Sequence, residues 1–185
     1  MAKLIILEGL SRTGKTSISN ALKDEGYGRI VSVKDKMPQC KDLTSFYKGC
    51  FYAYDAFLES FDDETFVLDR SFLSEMVYPS FYKRSASIDL KYIIDFVKRN
   101  EIHLFLLTNT HDDYMKRKPK DSYVYSSEDY SLLEFLFHQK LSIVERYINN
   151  TTINTSSNSI TESIDIIKSK LWKTEKSQSL QDQQA

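Results

Sequence analysis

GLSRTGKT, residues 9–16, fits the pattern G-x-x-x-x-G-K-[ST] and follows the short apolar run Lys3–Leu7. Its glycines allow a tight turn whose backbone N–H groups point inward, an arrangement that cradles the phosphates of a nucleotide. Lys15 can reach the β- and γ-phosphates, and the hydroxyl of Thr16 suits a magnesium ion. The helix expected from Thr16 onward adds the positive end of its dipole. The residues predicted to bind the nucleotide here are Gly9, Ser11, Arg12, Thr13, Gly14, Lys15, Thr16 and Ser17.

The composition is that of an ordinary globular domain. The 185 residues, of which 41% are hydrophobic and 28% charged, are enough for one domain with a substantial core. A formal net charge of −1 gives no overall attraction to nucleic acid. The apolar runs are shorter than the roughly 18 residues of a membrane span, and the first ten residues lack a secretory pattern. We therefore expect a cytoplasmic protein that needs neither a membrane nor a nucleic acid.

Apolar runs typical of strands alternate with longer patterns typical of helices, and this alternation predicts a parallel sheet. The predicted strands are Lys3–Leu7, Arg29–Val33, Thr65–Leu68, His103–Leu107 and Thr151–Asn154. The predicted helices are Thr16–Glu25, Leu43–Phe61, Phe72–Tyr82, Leu90–Lys98, Tyr130–Ile148 and Ile160–Leu171. We assign residues 1–172 to a single domain. Residues 173–185 are polar and contain no aromatic residue, so we expect a disordered tail without a catalytic part.

Asp69 and Arg70 follow the predicted strand Thr65–Leu68. The carboxyl ends of strands are where α/β sheets bind their ligands. If this strand lies beside the first, Asp69 faces the magnesium ion and the phosphates, while Arg70 reaches a transferring or acceptor phosphoryl group. A structural ion pair at the start of a helix is the alternative interpretation of the same two residues.

These motifs together resemble the thymidylate kinase and deoxynucleoside kinase superfamily along residues 3–171. Glu8-Gly9-Leu10 followed by Arg12–Thr16 is similar to the phosphate loop of eukaryotic-type thymidylate kinases, in which the loop arginine holds the transferring phosphate. Asp69-Arg70-Ser71 resembles the D-R-Y/F/S or E-R-S element, whose arginine contacts the 5′ end of the acceptor. The resemblance implies a three-layer α/β/α P-loop NTPase fold with a five-stranded parallel sheet in the order 2-3-1-4-5.

By the same resemblance, Val33-Lys34-Asp35 falls where deoxynucleoside kinases carry the acidic base that takes the proton from the 5′-hydroxyl. A base is required only when the acceptor is an alcohol, because a phosphate oxygen is already ionised at neutral pH. Asp35 is therefore the candidate base and an acceptor contact. A solvated loop aspartate between Lys34 and Lys36 is an equally good interpretation.

Two further segments resemble parts of these kinases. Arg117-x-x-x-Asp121 is similar to the lid that closes over the triphosphate, and we place this lid at about residues 116–129. Its closure would exclude water and limit wasteful hydrolysis of ATP. Residues 153–157 resemble the loop that touches adenine in thymidylate kinases, which implies Asn154 and Ser156 as nucleotide contacts.

The aromatic residues between Leu43 and Phe61 recur at helical spacing, so most of them belong to the core. Phe46, Tyr47 and Tyr54 are the candidates for an acceptor pocket, because aromatic faces stack favourably on a flat base. On the same helix, Asp55 is placed to contact a base or a sugar, and Glu75, on the predicted helix Phe72–Tyr82, is placed to reach a sugar hydroxyl.

Two positions depart from the thymidylate kinase pattern. Ser11 stands where those enzymes usually carry an acidic residue near the 3′-hydroxyl of the sugar. Ala56 stands where they carry an arginine that binds the monophosphate. Deoxynucleoside kinases do not require that arginine, so the two branches are not separated by the sequence.

The sequence thus predicts a kinase that uses ATP and Mg²⁺ to phosphorylate a deoxynucleoside monophosphate such as dTMP, or a deoxynucleoside. Two alternatives remain open: a kinase that acts on a hydroxyl of DNA, RNA or a modified base, and a nucleotide-binding regulator that transfers nothing. Family members often form dimers, so the resemblance also implies a homodimer. The predicted catalytic residues are Lys15, Arg12, Asp35, Asp69, Arg70 and Arg117, and the predicted metal ligands are Thr16 and Asp69.

Overall fold

A computed structural model describes residues 3–32, 43–61, 64–85, 88–117 and 124–182, without the side chains of residues 32, 43–47, 50, 54 and 172–182. The strands in these ranges are β1 (Lys3–Glu8), β2 (Arg29–Ser32), β3 (Thr65–Asp69), β4 (Glu101–Thr108) and β5 (Asn149–Asn154). The helices are α1 (Lys15–Asp24), α2 (Leu43–Glu59), α3 (Phe72–Phe81), α4 (Leu90–Arg99), α5 (His111–Lys116), α6 (Ser127–Val144) and α7 (Ile160–Asp182). None of the described helices combines the length and apolar character needed to cross a bilayer.

The five strands form one parallel sheet in the order β2-β3-β1-β4-β5, as predicted. The central strand β1 is apolar on both faces because helices cover the sheet on both sides. Leu7 of β1 lies opposite Asp69 of β3 and Phe105 of β4. The carboxyl ends of β1 and β3 therefore lie side by side, which is the condition on which the magnesium hypothesis depended.

Side chains of β1 alternate between two separate core clusters. Leu4 and Ile6 pack into the larger cluster, which includes residues of α3, α4 and α6. Ile5 and Leu7 pack into the smaller one, which includes residues of α1 and α7. This division gives the three layers of the predicted α/β/α fold.

Several observed elements begin or end a few residues from the predicted bounds, and two differences are larger. Helix α5 was not predicted, because its six residues are too few to show helical periodicity. Helix α7 begins at Ile160 behind the expected capping box, in which Ser159 N donates to Glu162 (2.7 Å) and Glu162 N to Ser159 Oγ (3.2 Å). It then continues past Leu171 to Asp182 and so includes most of the segment expected to be disordered. Lys, Glu and Gln, which are frequent in that segment, are good helix formers.

Candidate active site

The turn between β1 and α1 has the tight backbone that the glycine pattern predicts. Gly9 has φ +126°, and a Cβ atom there would lie 2.1 Å from the carbonyl oxygen of Leu107. Gly14, the N-cap of α1, has φ +87°, and Arg12 between the two glycines has φ +64°. Only glycine fits at position 9, because a side chain would collide with the backbone of β4.

Lys15 is buried inside this turn, with 6% of its surface exposed. Its ammonium group donates to Gly9 O and Thr13 Oγ1, both at 3.0 Å, and also to Leu10 O. Thr13 Oγ1 itself donates to Leu10 O at 2.9 Å. These hydrogen bonds hold the positive charge among oxygen atoms of the loop itself, next to the cavity described below.

Thr16 and Asp69 are brought together from α1 and β3. Thr16 Oγ1 donates to Asp69 Oδ2 at 2.8 Å, and the carboxylate of Asp69 is buried. A hydroxyl and a carboxylate are hard oxygen ligands of the type that Mg²⁺ takes beside phosphate oxygens. The two residues predicted as metal ligands therefore have suitable chemistry and lie next to each other.

Arg70 is held toward the phosphate loop by a strained backbone and three side-chain hydrogen bonds. Its φ is +74°, and its N–H donates to Leu7 O at 3.0 Å. Its Nη1 donates to Gly9 O and Ser74 Oγ, both at 3.1 Å, and to the hydroxyl of Tyr78 at 3.0 Å. Left-handed backbone at a residue other than glycine costs free energy and is found preferentially at functional sites.

Glu8, the last residue of β1, organises the start of α3, a role that sequence reasoning missed. The N-cap residue of α3, Ser71, makes no side-chain capping bond. Instead, buried Glu8 accepts from Ser71 N (2.7 Å) and Ser74 N (3.1 Å) through Oε1, and from Ser74 Oγ (2.6 Å) through Oε2. Burial raises the pKa of Glu8, although the Ser74 hydrogen bond and the charge of Arg70 oppose this. The one feature of the sequence that could have indicated this role is the position of a carboxylate at the end of an apolar strand, where charged side chains are rarely buried without partners.

Replacing Glu8 with glutamine should lower the free energy of unfolding by about 1–3 kcal/mol, because the Ser74 hydroxyl loses its buried acceptor. Activity should fall as well, since Ser74 also accepts from Arg70. Urea denaturation and kcat measure the two effects. Glu162→Gln is the matched control, because Glu162 also accepts a backbone N–H at a helix start but is exposed. Equal, small losses in both variants would contradict the organising role of Glu8.

Arg117 connects the phosphate loop with the loop between β5 and α7. Its Nη1 donates to Arg12 O (2.7 Å) and Thr155 Oγ1 (3.2 Å), and its Nη2 donates to Thr155 O (2.8 Å). The guanidinium of Arg12 lies 4.3 Å from the ring centroid of Tyr114 and donates to Tyr114 O at 3.1 Å. Both arginines therefore lie at the phosphate loop, whereas residues 118–123 of the predicted lid fall outside the described residues.

The side chains of Asn154 and Ser156 are hydrogen-bonded within and next to the loop between β5 and α7. Asn154 Oδ1 accepts from Ser156 N at 2.9 Å, and Ser156 Oγ accepts from Thr110 N at 2.8 Å. Their neighbours Thr155 and Asn158 line the cavity at the phosphate loop. This loop thus borders the site mainly through residues other than the two that were predicted to contact the nucleotide.

A single cavity of about 450 Å³ brings most of the predicted phosphate-binding residues together. It opens at the carboxyl end of the sheet, between the phosphate loop, the end of β3 and the start of α7. Its lining includes Ser11, Arg12, Thr13, Gly14, Lys15, Thr16, Ser17, Asp69, Arg70, Arg117, Thr155 and Asn158.

The acceptor side is described only in part. Asp35 lies outside the described residues, as do the side chains of Phe46, Tyr47 and Tyr54, so their predicted roles remain predictions. Glu75 is half-buried in the first turn of α3, close in sequence to Arg70.

Asp55, predicted to contact a base or a sugar, also has a structural role. Its side chain is buried, 3% exposed, and Oδ2 accepts from Arg99 Nη2 at 2.8 Å and from the hydroxyl of Tyr92. Arg99 also pairs with Glu59. These contacts join α2 to α4. The sequence could not show this because Asp55 and Arg99 are 44 positions apart.

No protein-family model matches the sequence, and neither does any curated protein with which it was compared. Solved structures do match. The YorR protein from Bacillus subtilis, solved in complex with phosphorylated GDP, has a TM-score of 0.63 and 21% identity, over 89% of this chain and 93% of that one.

Two named kinases have the same architecture. Deoxyadenosine kinase from M. mycoides, solved with dCMP and dCDP, has a TM-score of 0.60 and 16% identity, over 91% of this chain and 98% of that one. Thymidylate kinase from Candida albicans has a TM-score of 0.60 and 16% identity, over 96% of this chain and 92% of that one. At such identities a structural likeness establishes the fold alone. The chain has the P-loop fold of thymidylate and deoxynucleoside kinases, as its motifs predict.

Proposed function

We propose that the protein is a kinase that transfers the γ-phosphoryl group of ATP to a deoxynucleoside or a deoxynucleoside monophosphate. The observation that carries this proposal is the convergence of Lys15, Arg70 and the Thr16–Asp69 pair on one cavity. Phosphoryl transfer needs little covalent chemistry from the protein, because positioning and charge stabilisation supply most of the catalysis. The cavity contains groups suited to both tasks.

Each group has a distinct role in this proposal. Lys15, Arg12 and the loop amides hold the transferring phosphoryl group, and Arg117 adds positive charge at the same loop. Thr16 and Asp69 hold Mg²⁺, which neutralises charge on the β- and γ-phosphate oxygens when it is bound. Arg70 anchors the acceptor. Asp35 acts as the base if the acceptor is an alcohol.

The position of Arg70 favours a kinase over a regulator that only senses a nucleotide. A sensor needs the phosphate loop but has no use for a second guanidinium fixed at the edge of the same cavity. Arg70 is held there at the cost of a left-handed backbone and with three hydrogen bonds from Nη1. Such preorganisation is useful when a second ligand must be aligned with the first.

A product screen tests the proposal. The protein is incubated with magnesium-ATP and, separately, the four deoxynucleosides, their 5′-monophosphates and a short oligonucleotide, and the products are identified by mass spectrometry. We expect one added phosphoryl group on a small acceptor. Transfer to the oligonucleotide would support the polymer kinase instead. ATP binding without any transfer would overturn the kinase proposal in favour of the regulator.

Asp69→Asn should raise the Mg²⁺ concentration that gives half-maximal activity about tenfold or more, because a neutral amide is a weaker partner for a hard cation. A magnesium titration at fixed ATP concentration measures the shift. Asp165→Asn on the exposed face of α7 makes the same chemical change away from the cavity and should leave the titration unchanged. An identical magnesium dependence in both variants would remove Asp69 from the metal site.

A further inference from the structure

Four tyrosines form a continuous series of contacts between Arg12 in the phosphate loop and Arg70 on the acceptor side. We name this series, Tyr114, Tyr125, Tyr82 and Tyr78, the tyrosine chain. Tyr114 belongs to α5 and Tyr78 to α3, Tyr125 precedes α6, and Tyr82 is the first residue after α3. Neither the motifs nor the proposed chemistry assigns a role to Tyr82 or Tyr125.

The chain begins at Arg12, whose guanidinium lies 4.3 Å from the ring centroid of Tyr114. Tyr114 is completely buried, and its hydroxyl accepts a hydrogen bond from Tyr125 N at 3.0 Å. The ring centroids of Tyr114 and Tyr125 are 6.2 Å apart. Tyr114 thus contacts the phosphate-loop arginine with its ring and the next member of the chain with its hydroxyl.

The chain ends at Arg70. The hydroxyl oxygens of Tyr125 and Tyr82 are 3.1 Å apart, within hydrogen-bond distance. The ring of Tyr82 stacks on that of Tyr78, with centroids 6.3 Å apart and an interplanar angle of 19°. The hydroxyl of Tyr78 accepts from Arg70 Nη1 at 3.0 Å. Every step from Arg12 to Arg70 is therefore a direct contact.

The hydrogen bond between the hydroxyl groups of Tyr82 and Tyr125 positions two segments of the chain relative to each other and is not part of the core packing. Tyr125 is buried, and burial together with the hydrogen bond to Tyr82 raises its pKa, so the phenol stays neutral. Tyr82, in contrast, is 52% exposed. The bond contributes at most about 1–3 kcal/mol to the free energy of unfolding, the cost of removing this partner from the buried Tyr125. Its main effect is to join the end of α3 to the segment before α6.

We propose that Tyr82 and Tyr125 are positioning residues for phosphoryl transfer, whose hydroxyl pair sets the placement of Arg12 relative to Arg70. This inference rests on the proposed kinase function. In-line transfer requires the phosphate-holding and acceptor-holding groups to be aligned, and small displacements lower the rate substantially. Both residues act through the arginines and do not themselves touch the reacting atoms.

The test compares Tyr82→Phe, Tyr125→Phe and the double variant, each of which keeps the rings and removes hydroxyl groups. We expect three- to tenfold lower kcat in each single variant, with KM for ATP nearly unchanged. The double variant should be no worse than the more impaired single variant, because each substitution removes the same bond. Tyr82→Phe should lower the free energy of unfolding by no more than about 1–3 kcal/mol, which leaves the protein folded under assay conditions.

Tyr27→Phe is the matched control. Tyr27 lies between α1 and β2, beside a separate cavity at the opposite edge of the sheet, and its ring is contacted by Lys168 Nζ at 5.6 Å. This variant should keep the wild-type kcat. An unchanged kcat in Tyr82→Phe, or losses that multiply in the double variant, would overturn the positioning role.

Amide hydrogen exchange provides a readout that does not depend on activity. Tyr82→Phe should speed exchange at the Tyr125 N–H, which donates to Tyr114, whereas Tyr27→Phe should not. If exchange accelerates but the wild-type protein phosphorylates no acceptor, the proposed function fails while the physical link stands. If exchange is unchanged, the link itself is refuted.

Discussion

Lys15→Ala should reduce phosphotransfer by a factor of about 10³ or more while the protein stays folded. The ammonium group of Lys15 donates to Gly9 O and Thr13 Oγ1, and it is buried in the turn that borders the cavity. Removing a preorganised charge that stabilises a transferring phosphoryl group raises the barrier by several kcal/mol. Steady-state rates with magnesium-ATP and the acceptor found in the product screen measure the effect.

Lys23→Ala is the control for this experiment. Lys23 lies on the same helix, α1, and its substitution removes the same charge from an exposed position. It should change neither the rate nor, beyond about 0.5 kcal/mol, the free energy of unfolding. Far-ultraviolet circular dichroism of both variants verifies the fold. A near-normal rate for Lys15→Ala would refute the kinase assignment, because that assignment requires Lys15 to hold the transferring phosphoryl group.

Gly9→Ala should be the most destabilising single substitution in the phosphate loop, with a loss of at least about 4 kcal/mol. The new Cβ would lie 2.1 Å from Leu107 O, a backbone atom of β4 that cannot move aside without disturbing the pairing of β4 with β5. The backbone at φ +126° adds strain for any L-residue. Since domains are stable by about 5–15 kcal/mol, a loss of this size threatens folding itself.

Substitutions at two other glycines distinguish how much of this loss comes from the collision of the Cβ atom and how much from the positive φ. Gly26 has φ +81° but open space around its Cβ position, so Gly26→Ala should cost only about 1–2 kcal/mol. Gly49, inside α2, has open space and no positive φ, so Gly49→Ala should stabilise the protein by about 0.5–1 kcal/mol. Urea unfolding measures all three variants. Equal losses in Gly9→Ala and Gly26→Ala would mean that the collision with β4 is absent in solution.

Short sequence patterns predicted most helices and strands, because each pattern depends only on residues that are close together in the chain. The strand β1 and the turn after it follow from an apolar run and two spaced glycines, and the structure contains both. The capping box at Ser159 likewise needs only four consecutive residues. The order of the strands came from the resemblance to known kinases, since periodicity alone does not specify which strands are neighbours.

Contacts between distant positions were beyond such patterns. Glu8 is an ordinary acidic residue in the sequence, and its role depends on Ser71 and Ser74, 63 and 66 positions away. Asp55 was predicted to contact the acceptor, but its pairing with Arg99, 44 positions away, was not predicted. In both cases the partner is brought into place by the packing of a helix on the sheet.

By itself, the sequence determined that a turn with the phosphate-loop glycine pattern follows one apolar strand and that an Asp-Arg pair stands at the end of another. Glycine spacing and apolar runs are local properties of the sequence, so they can be recognised without knowledge of the fold. Only the tertiary structure decided that Asp69 meets Thr16 across 53 positions and that Arg70 turns toward Gly9. It also decided that four tyrosines join Arg12 to Arg70. These contacts exist because parallel strands bring their carboxyl ends to one edge of the sheet, where residues far apart in the chain become neighbours.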